Sequence, residues 1–208
     1  MNRFDRRTRL IAVALAGVAG FVDAVAFIQL GGFFVSFMSG NSTRLGVALS
    51  DLSLNAAIAG GLIAAFVAGA AIGSLTGHAA GARRRTIVLL LVGALLTVAI
   101  VAYGQGFVAV SAAAMALAMG AENAVFEEDG EIRIGLTYTT GSLVKLGQKL
   151  AVALRGGAQW DWVPYLMHWL GLVAGAVAGA LAFAALGMNA LWLAVGAVSL
   201  AALVSARD

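Results

Sequence analysis

Two carboxylates stand inside long apolar runs of this chain, Asp23 in "AGVAGFVDAVAFIQL" and Glu122 in "MALAMGAENAVF". An ionised carboxylate at membrane depth is costly, and such residues mark ion pathways and proton relays and face a bundle interior. Each is therefore a candidate for proton or Na⁺ coupling. The alternatives are structural: an ion pair of Asp23 with Arg44, and for Glu122 a reach to the interface near the acidic stretch Glu127–Glu131. His168 is read as an interhelical hydrogen-bond partner. The chain has 2 histidines and no cysteine. This removes disulfides and thiolate chemistry and leaves a metal site without support, and no cofactor is implied. No Ser-His-Asp order, metal triad or phosphate loop appears, so no enzyme is expected.

The polar groups that could hold a solute lie in two islands of similar sequence, "FVSFMSGNSTRLG" (Phe34 to Gly46) and "LTYTTGSLVKLG" (Leu136 to Gly147). Ser39-Gly40 aligns with Thr140-Gly141, and Arg44-Leu45-Gly46 with Lys145-Leu146-Gly147. Each island reads as an extended, β-branched and aromatic segment that feeds a short helix. Ser39 or Asn41 is the expected N-cap of the first helix, and Thr140 or Ser142 that of the second. A helix N-terminus exposes about four unpaired N–H groups and roughly half a positive charge, which in a dry setting favours an anion. Ser39, Gly40, Asn41, Thr43, Thr140, Gly141, Ser142 and Asn123 are the candidate contacts to a small anionic or polar solute. Arg44 and Lys145, at matching places in the two short helices, attract an anion or snorkel to the interface. The plainer alternative is that these hydroxyls satisfy each other in a static packing.

Such islands need a frame, and composition says what kind. Of the 208 residues 62% are hydrophobic and 11% charged, against about a quarter charged in soluble domains. Mean hydropathy is +0.96. This is an all-α integral membrane protein, whose first partner is the lipid bilayer. The net charge of +3 then reads as a topology signal, and nothing indicates nucleic acid. The basic start followed by an apolar run resembles a signal peptide, but the run continues to Leu30 and is read as a retained first helix.

A crossing takes about 20 apolar residues. Six runs qualify: Leu10–Leu30, Asn55–Leu75, Thr86–Tyr103, Phe107–Phe126, Trp162–Leu186 and Asn189–Val204. Basic residues cluster at Arg3–Arg9, Arg83–Arg85, Arg133–Arg155 and Arg207. The positive-inside rule then puts both termini in the cytoplasm, in the bacterial inner membrane. With six crossings the islands cannot cross, so each is expected to be re-entrant, buried in protein or lining a wet cavity.

Gly20–Val25 matches Gly120–Val125, and each island is followed by a glycine ladder, Gly69, Gly73, Gly77 and Gly171, Gly175, Gly179. The landmarks divide the chain into residues 1–104, with a re-entrant segment at 33–50, and 105–208, with one at 135–155. Three crossings per half make the repeat inverted, a plan used by secondary transporters. The ladders are read as close-packing stripes that join the second and fifth spans, or two protomers of a homodimer. Trp160, Trp162 and Tyr165 read as an interfacial belt, and "EEDGEIR" as a solvated loop.

With these residues in hand, "GFVDAVAFIQLGGFFVSFMSGNSTRLG" and "MGAENAVFEEDGEIRIGLTYTTGSLVKLG" resemble the YoaK-like bacterial family of uncharacterised six-helix membrane proteins. The carrying motifs are G-x-x-D-A at Gly20–Ala24, S-G-N at Ser39–Asn41, E-N-A at Glu122–Ala124 and T-G at Thr140–Gly141. The resemblance implies residence in the bacterial inner membrane and supplies no substrate. Glu122 departs from the glutamine that the resemblance implies there. The expected function is a small secondary transporter or channel, and the rival is a non-transporting assembly or sensor protein.

Overall fold

A computed structural model describes residues 5–128, 131–132 and 134–206. Arg3, Arg133 and Arg207, used above for orientation, lie outside the described residues. Among these, the chain forms eight α-helices: α1 Arg6–Gln29, α2 Met38–Ser50, α3 Asn55–Ala80, α4 Arg84–Gly104, α5 Val108–Glu122, α6 Thr139–Leu154, α7 Val163–Leu186 and α8 Leu191–Ser205. Asp5 caps α1 by accepting from the Arg7 and Thr8 N–H groups at 3.1 and 3.2 Å. Thr8 is the main cause that holds this exposed carboxyl below its usual range. Two apolar stretches, Asn55–Gly104 and Val163–Ser205, are each turned by a glycine in the left-handed region, Gly81 at φ +53 and Gly187 at φ +57. A side chain rarely adopts that conformation, so glycine sets the place where one long apolar run becomes two helices. The acidic stretch after α5 is a short antiparallel ribbon rather than a loop: β1 Glu127–Glu128 pairs with β2 Glu131–Ile132. Glu127 fixes it, accepting from Ser74 Oγ at 2.9 Å and facing Arg84 at 3.2 Å.

Helices α1, α4, α5 and α8 pack together in the middle, with α3 against α5, α7 against α1, α2 on α3 and α6 on α7. The centre is dry, built from Leu15, Val22, Leu89, Leu96, Met115, Met119 and Leu191. Outward, Leu75, Leu181 and Leu203 are 71%, 69% and 64% exposed on apolar helices. A soluble surface does not carry stripes of this kind, and lipid is the solvent that accepts them.

The glycine ladders pack α3 on α5 and α7 on α1. A methyl at Gly69 would run into the Leu117 carbonyl, and one at Gly73 would lie 2.7 Å from Ala121 Cα. On the other side, Gly175 is closed by Gly17 and Gly179 by Phe21. Facing them, Gly20 abuts Leu172 and Ala176, and Gly120 abuts Phe66 and Ala70. The ladders therefore join neither α3 to α7 nor one protomer to another. They are consumed inside the chain, because each stripe already has a helix backbone against it. The contacts also shift the pairing of the ladders by one turn: Gly69 is equivalent to Gly175, and Gly73 to Gly179.

Candidate functional site

Between α1 and α2 the chain leaves the helix at Leu30, turns through Gly31 and Gly32 at φ +65 and +101, and runs without regular structure to Phe37. A segment like this exposes backbone donors that must find partners inside the protein. Asp23 supplies them. Its Oδ1 accepts from the Val35 and Ser36 N–H groups at 2.7 and 2.8 Å, and its Oδ2 from Ser36 Oγ at 2.6 Å. Asn41 closes the same segment from the other side. It accepts from Phe34 N–H at 3.1 Å and donates to Phe34 C=O at 2.6 Å, with its side chain wholly buried.

The second segment, before α6, is held at the aligned positions. Thr137 Oγ1 donates to Asn123 Oδ1 at 3.2 Å, and Asn123 Nδ2 donates to Met119 C=O at 3.0 Å. His168, 1% exposed, turns its ring toward the Gly135 and Leu136 carbonyls without reaching strict hydrogen-bond geometry. It thus faces an extended segment rather than a neighbouring helix.

Both short helices begin earlier than the cap preferences of Ser, Thr and Asn suggest. Their N-caps are Phe37 and Tyr138, and neither makes a side-chain cap bond. Asn41 is drawn away from capping by its two bonds to Phe34. Ser42 and Thr43 bond back to the Met38 and Ser39 carbonyls within α2, as hydroxyls in membrane helices commonly do.

The two segments meet. A cavity of about 490 Å³ lies between α1, α7 and the segments, with Asp23, Phe27, Phe34, Ser36, Phe37, Thr137, Thr139, Thr140 and Trp169 in its wall. A second, of about 430 Å³, shares Ser36, Phe37, Thr137, Thr139 and Thr140 and adds Ser39, Gly141, Tyr138 and Phe66. Ser36, Phe37, Thr137, Thr139 and Thr140 thus line both spaces, which adjoin at these residues. Of the residues singled out in the sequence, Asp23, Ser39, Thr140 and Gly141 reach these cavities. Gly40 lies beneath the Phe37 ring, where a methyl would come within 2.6 Å of it. Asn41 and Asn123 hold the segments and do not line the space, and Ser142 is half-buried in α6 outside both walls. Thr43 and Arg44 face a separate small cavity with Asp51.

Arg44 does not pair with Asp23. Its guanidinium stacks over the Phe33 ring at 5.1 Å, because Asp23 is turned inward to the backbone donors. Lys145 is exposed and lies 6.0 Å from the Tyr165 ring. Glu122 does not reach the interface: it is fully buried, and both carboxyl oxygens lack a hydrogen-bond partner. The residues missed in the sequence are Ser36, Phe37, Thr137, Thr139 and the rings Phe27, Phe34 and Trp169. The alignment of Ser36-Phe37 with Thr137-Tyr138, four and three residues before the matched Gly40 and Gly141, was the available signal.

The family described as a protein of unknown function, DUF1275, matches residues 11–204. A UPF0700 transmembrane protein of Rhizobium meliloti is 37% identical over 188 residues, which cover 88% of this chain and 79% of the relative. No solved structure matches the chain. The chain belongs to the DUF1275 family of uncharacterised transmembrane proteins, and the resemblance to that family read from the motifs holds.

Proposed function

We propose that this member of the family is a small secondary transporter whose polar solute binds between the starts of α2 and α6. In this reading α1, α3, α4, α5, α7 and α8 cross the membrane, with both termini in the cytoplasm of a bacterial inner membrane. The helices α2 and α6 enter and return. The halves, residues 1–104 and 105–208, form an inverted repeat.

One observation carries the reading: residues from both islands, Ser36 and Phe37 from the first and Thr137, Thr139 and Thr140 from the second, wall the same two cavities. The paired packing supports the repeat. Gly20 meets Leu172 and Ala176 as Gly120 meets Phe66 and Ala70, so exchanging the halves returns the same contacts. An inverted repeat that exchanges its halves' conformations opens a central site to either side in turn. Asp23 at the cavity wall and Glu122 in the dry centre are the two carboxylates available for proton or Na⁺ coupling. The element that closes the site in this reading is the pair of extended segments with the first turn of α6, since their residues line both spaces.

Accessibility tests this without a known solute. In the native cysteine-free background, Thr140→Cys is placed in inside-out and right-side-out vesicles and exposed to an impermeant thiol reagent. A transporter labels at this position from both sides, and Arg84→Cys labels from the cytoplasmic side alone. If Thr140→Cys is reached from neither side, the cavity is sealed and the transport reading falls. Labelling of Arg84→Cys from outside overturns the orientation.

A further inference from the structure

The wall of the larger cavity is one-sided in its chemistry. Asp23 is its sole ionisable residue, and no lysine or arginine lines it. The two cations nearest in sequence to the islands are engaged elsewhere, Arg44 on Phe33 and Lys145 toward Tyr165. No ion pair to Asp23 exists among the described residues. Its hydrogen-bond donors all come from the 35–37 segment: the Val35 and Ser36 N–H groups and the Ser36 hydroxyl, with the Phe37 N–H also turned toward it. The half-buried Asp23 side chain itself lines the cavity, so its carboxylate presents an acceptor edge to whatever fills the space.

Around that carboxylate stand aromatic rings. Phe27 and Phe34 have centroids 5.0 Å apart, and Phe34 and Phe37 meet edge-to-face at 5.2 Å. Trp169 completes the wall from α7. Aromatic faces attract a cation, and the attraction grows when the cation is desolvated. An anion would meet the opposite situation. The donors expected to receive it are the N–H groups at the start of the first short helix, around Ser39–Asn41; of these the Gly40 and Asn41 N–H groups turn to the Phe37 carbonyl, and the Val35 and Ser36 N–H groups before them already serve Asp23.

We propose that this cavity binds an organic ammonium ion, held by the Asp23 carboxylate and the faces of Phe27, Phe34, Phe37 and Trp169. The proposal rests on the reading of the inter-island cavity as the solute site and names its ligand class. A volume of about 490 Å³ falls within the range of small-molecule sites. Thr140, exposed at the start of α6, adds a polar residue to the wall.

The test uses the purified full chain with choline, tetraethylammonium, the uncharged carbon isostere of choline and acetate, read by titration calorimetry and melting. Choline or tetraethylammonium binds saturably and raises the melting temperature, whereas the isostere binds about tenfold or more weakly and acetate not at all. Asp23→Asn loses cation binding. Phe37→Leu weakens cation binding by about three- to tenfold without strengthening the isostere. Should Asp23→Asn fail to fold, Phe37→Leu and the isostere comparison still decide. The proposal is overturned if neither cation binds, if choline and its isostere bind alike, or if folded Asp23→Asn keeps wild-type cation affinity. The two readings fail separately. Cation binding without uptake or counterflow in proteoliposomes removes transport and leaves the site. Two-sided labelling of Thr140→Cys without cation binding removes the ligand class and leaves transport.

Discussion

The corner at Asp23 and the corner at Asn123 do the same mechanical job with different charge. In the first half a carboxylate gathers two backbone N–H groups and the Ser36 hydroxyl. In the second half a neutral amide takes the Thr137 hydroxyl and anchors itself on Met119. Both tie an extended segment to the helix before it. One isosteric exchange therefore separates holding the backbone from placing a charge. Two aspartates would set like charges at the two corners, and two asparagines would leave the cavity neutral. With one of each, the first corner holds its segment with a carboxyl and the second with a neutral amide.

That contrast can be broken hardest where the two halves are joined. Gly175→Leu and Gly69→Leu place a branched side chain against a helix backbone, at Gly17 and Leu117. Each is expected to abolish the folded protein in mild detergent, because overpacking of even a few methylenes costs about 1–3 kcal/mol when the surroundings can yield, and here main-chain atoms face it. Size-exclusion profiles and melting measure the loss. A native profile for either variant would mean that the two helices do not touch there.

The corners themselves come next. Asp23→Ala strands two buried N–H groups and a hydroxyl, so a loss of about 3 kcal/mol is expected. Asn123→Ala releases one hydroxyl and one anchoring bond and should cost about 1 kcal/mol. Melting of the two variants side by side sharpens the comparison. Equal losses would show that charge adds nothing to the first corner.

The smallest expected effects are at the two matched glycines. Gly40→Ala must push the Phe37 ring aside, whereas a methyl at Gly141 meets nothing within 4 Å. Gly141→Ala in α6 should then stabilise by about 0.5–1 kcal/mol through helix propensity, and Gly40→Ala should lower the melting temperature. If both behave alike, the aromatic packing around Phe37 is not an asymmetry of the halves.

Much of this frame can be read from residue patterns, because apolar runs longer than a bilayer's thickness, glycines at their breaks and matched polar islands are local features. All six long apolar runs appear as helices, and the splits at Gly81 and Gly187 fall where the pattern breaks. What the pattern does not contain is which helix lies against which. Glycine ladders state that something approaches closely, not what, so their partners emerged as α5 and α1. Cap preferences likewise mislead at α2, since Asn41 has a better use for its amide on Phe34. The aromatic wall was hidden for another reason: Phe27, Phe34 and Trp169 belong to different elements and become neighbours only through tertiary packing. In an oily sequence a phenylalanine carries no signal until its surroundings are known.

The crossed arrangement of α1 with α7 and α5 with α3 has a consequence for how the chain is made. α1 is synthesised before α7, the helix that fills its Gly17–Gly20 groove, with five helices between them. Until then the groove faces lipid or an insertion chaperone. Neither α1 nor α3 has its close-packed partner, α7 or α5, when it is made, so these two contacts can form only after those later helices are in place. A chain released after α6 would hold α3 against α5 but leave α1 without its partner, a clear target for membrane proteases. Conversely, two separately made halves, each lacking a partner at home, carry the surfaces needed to find each other.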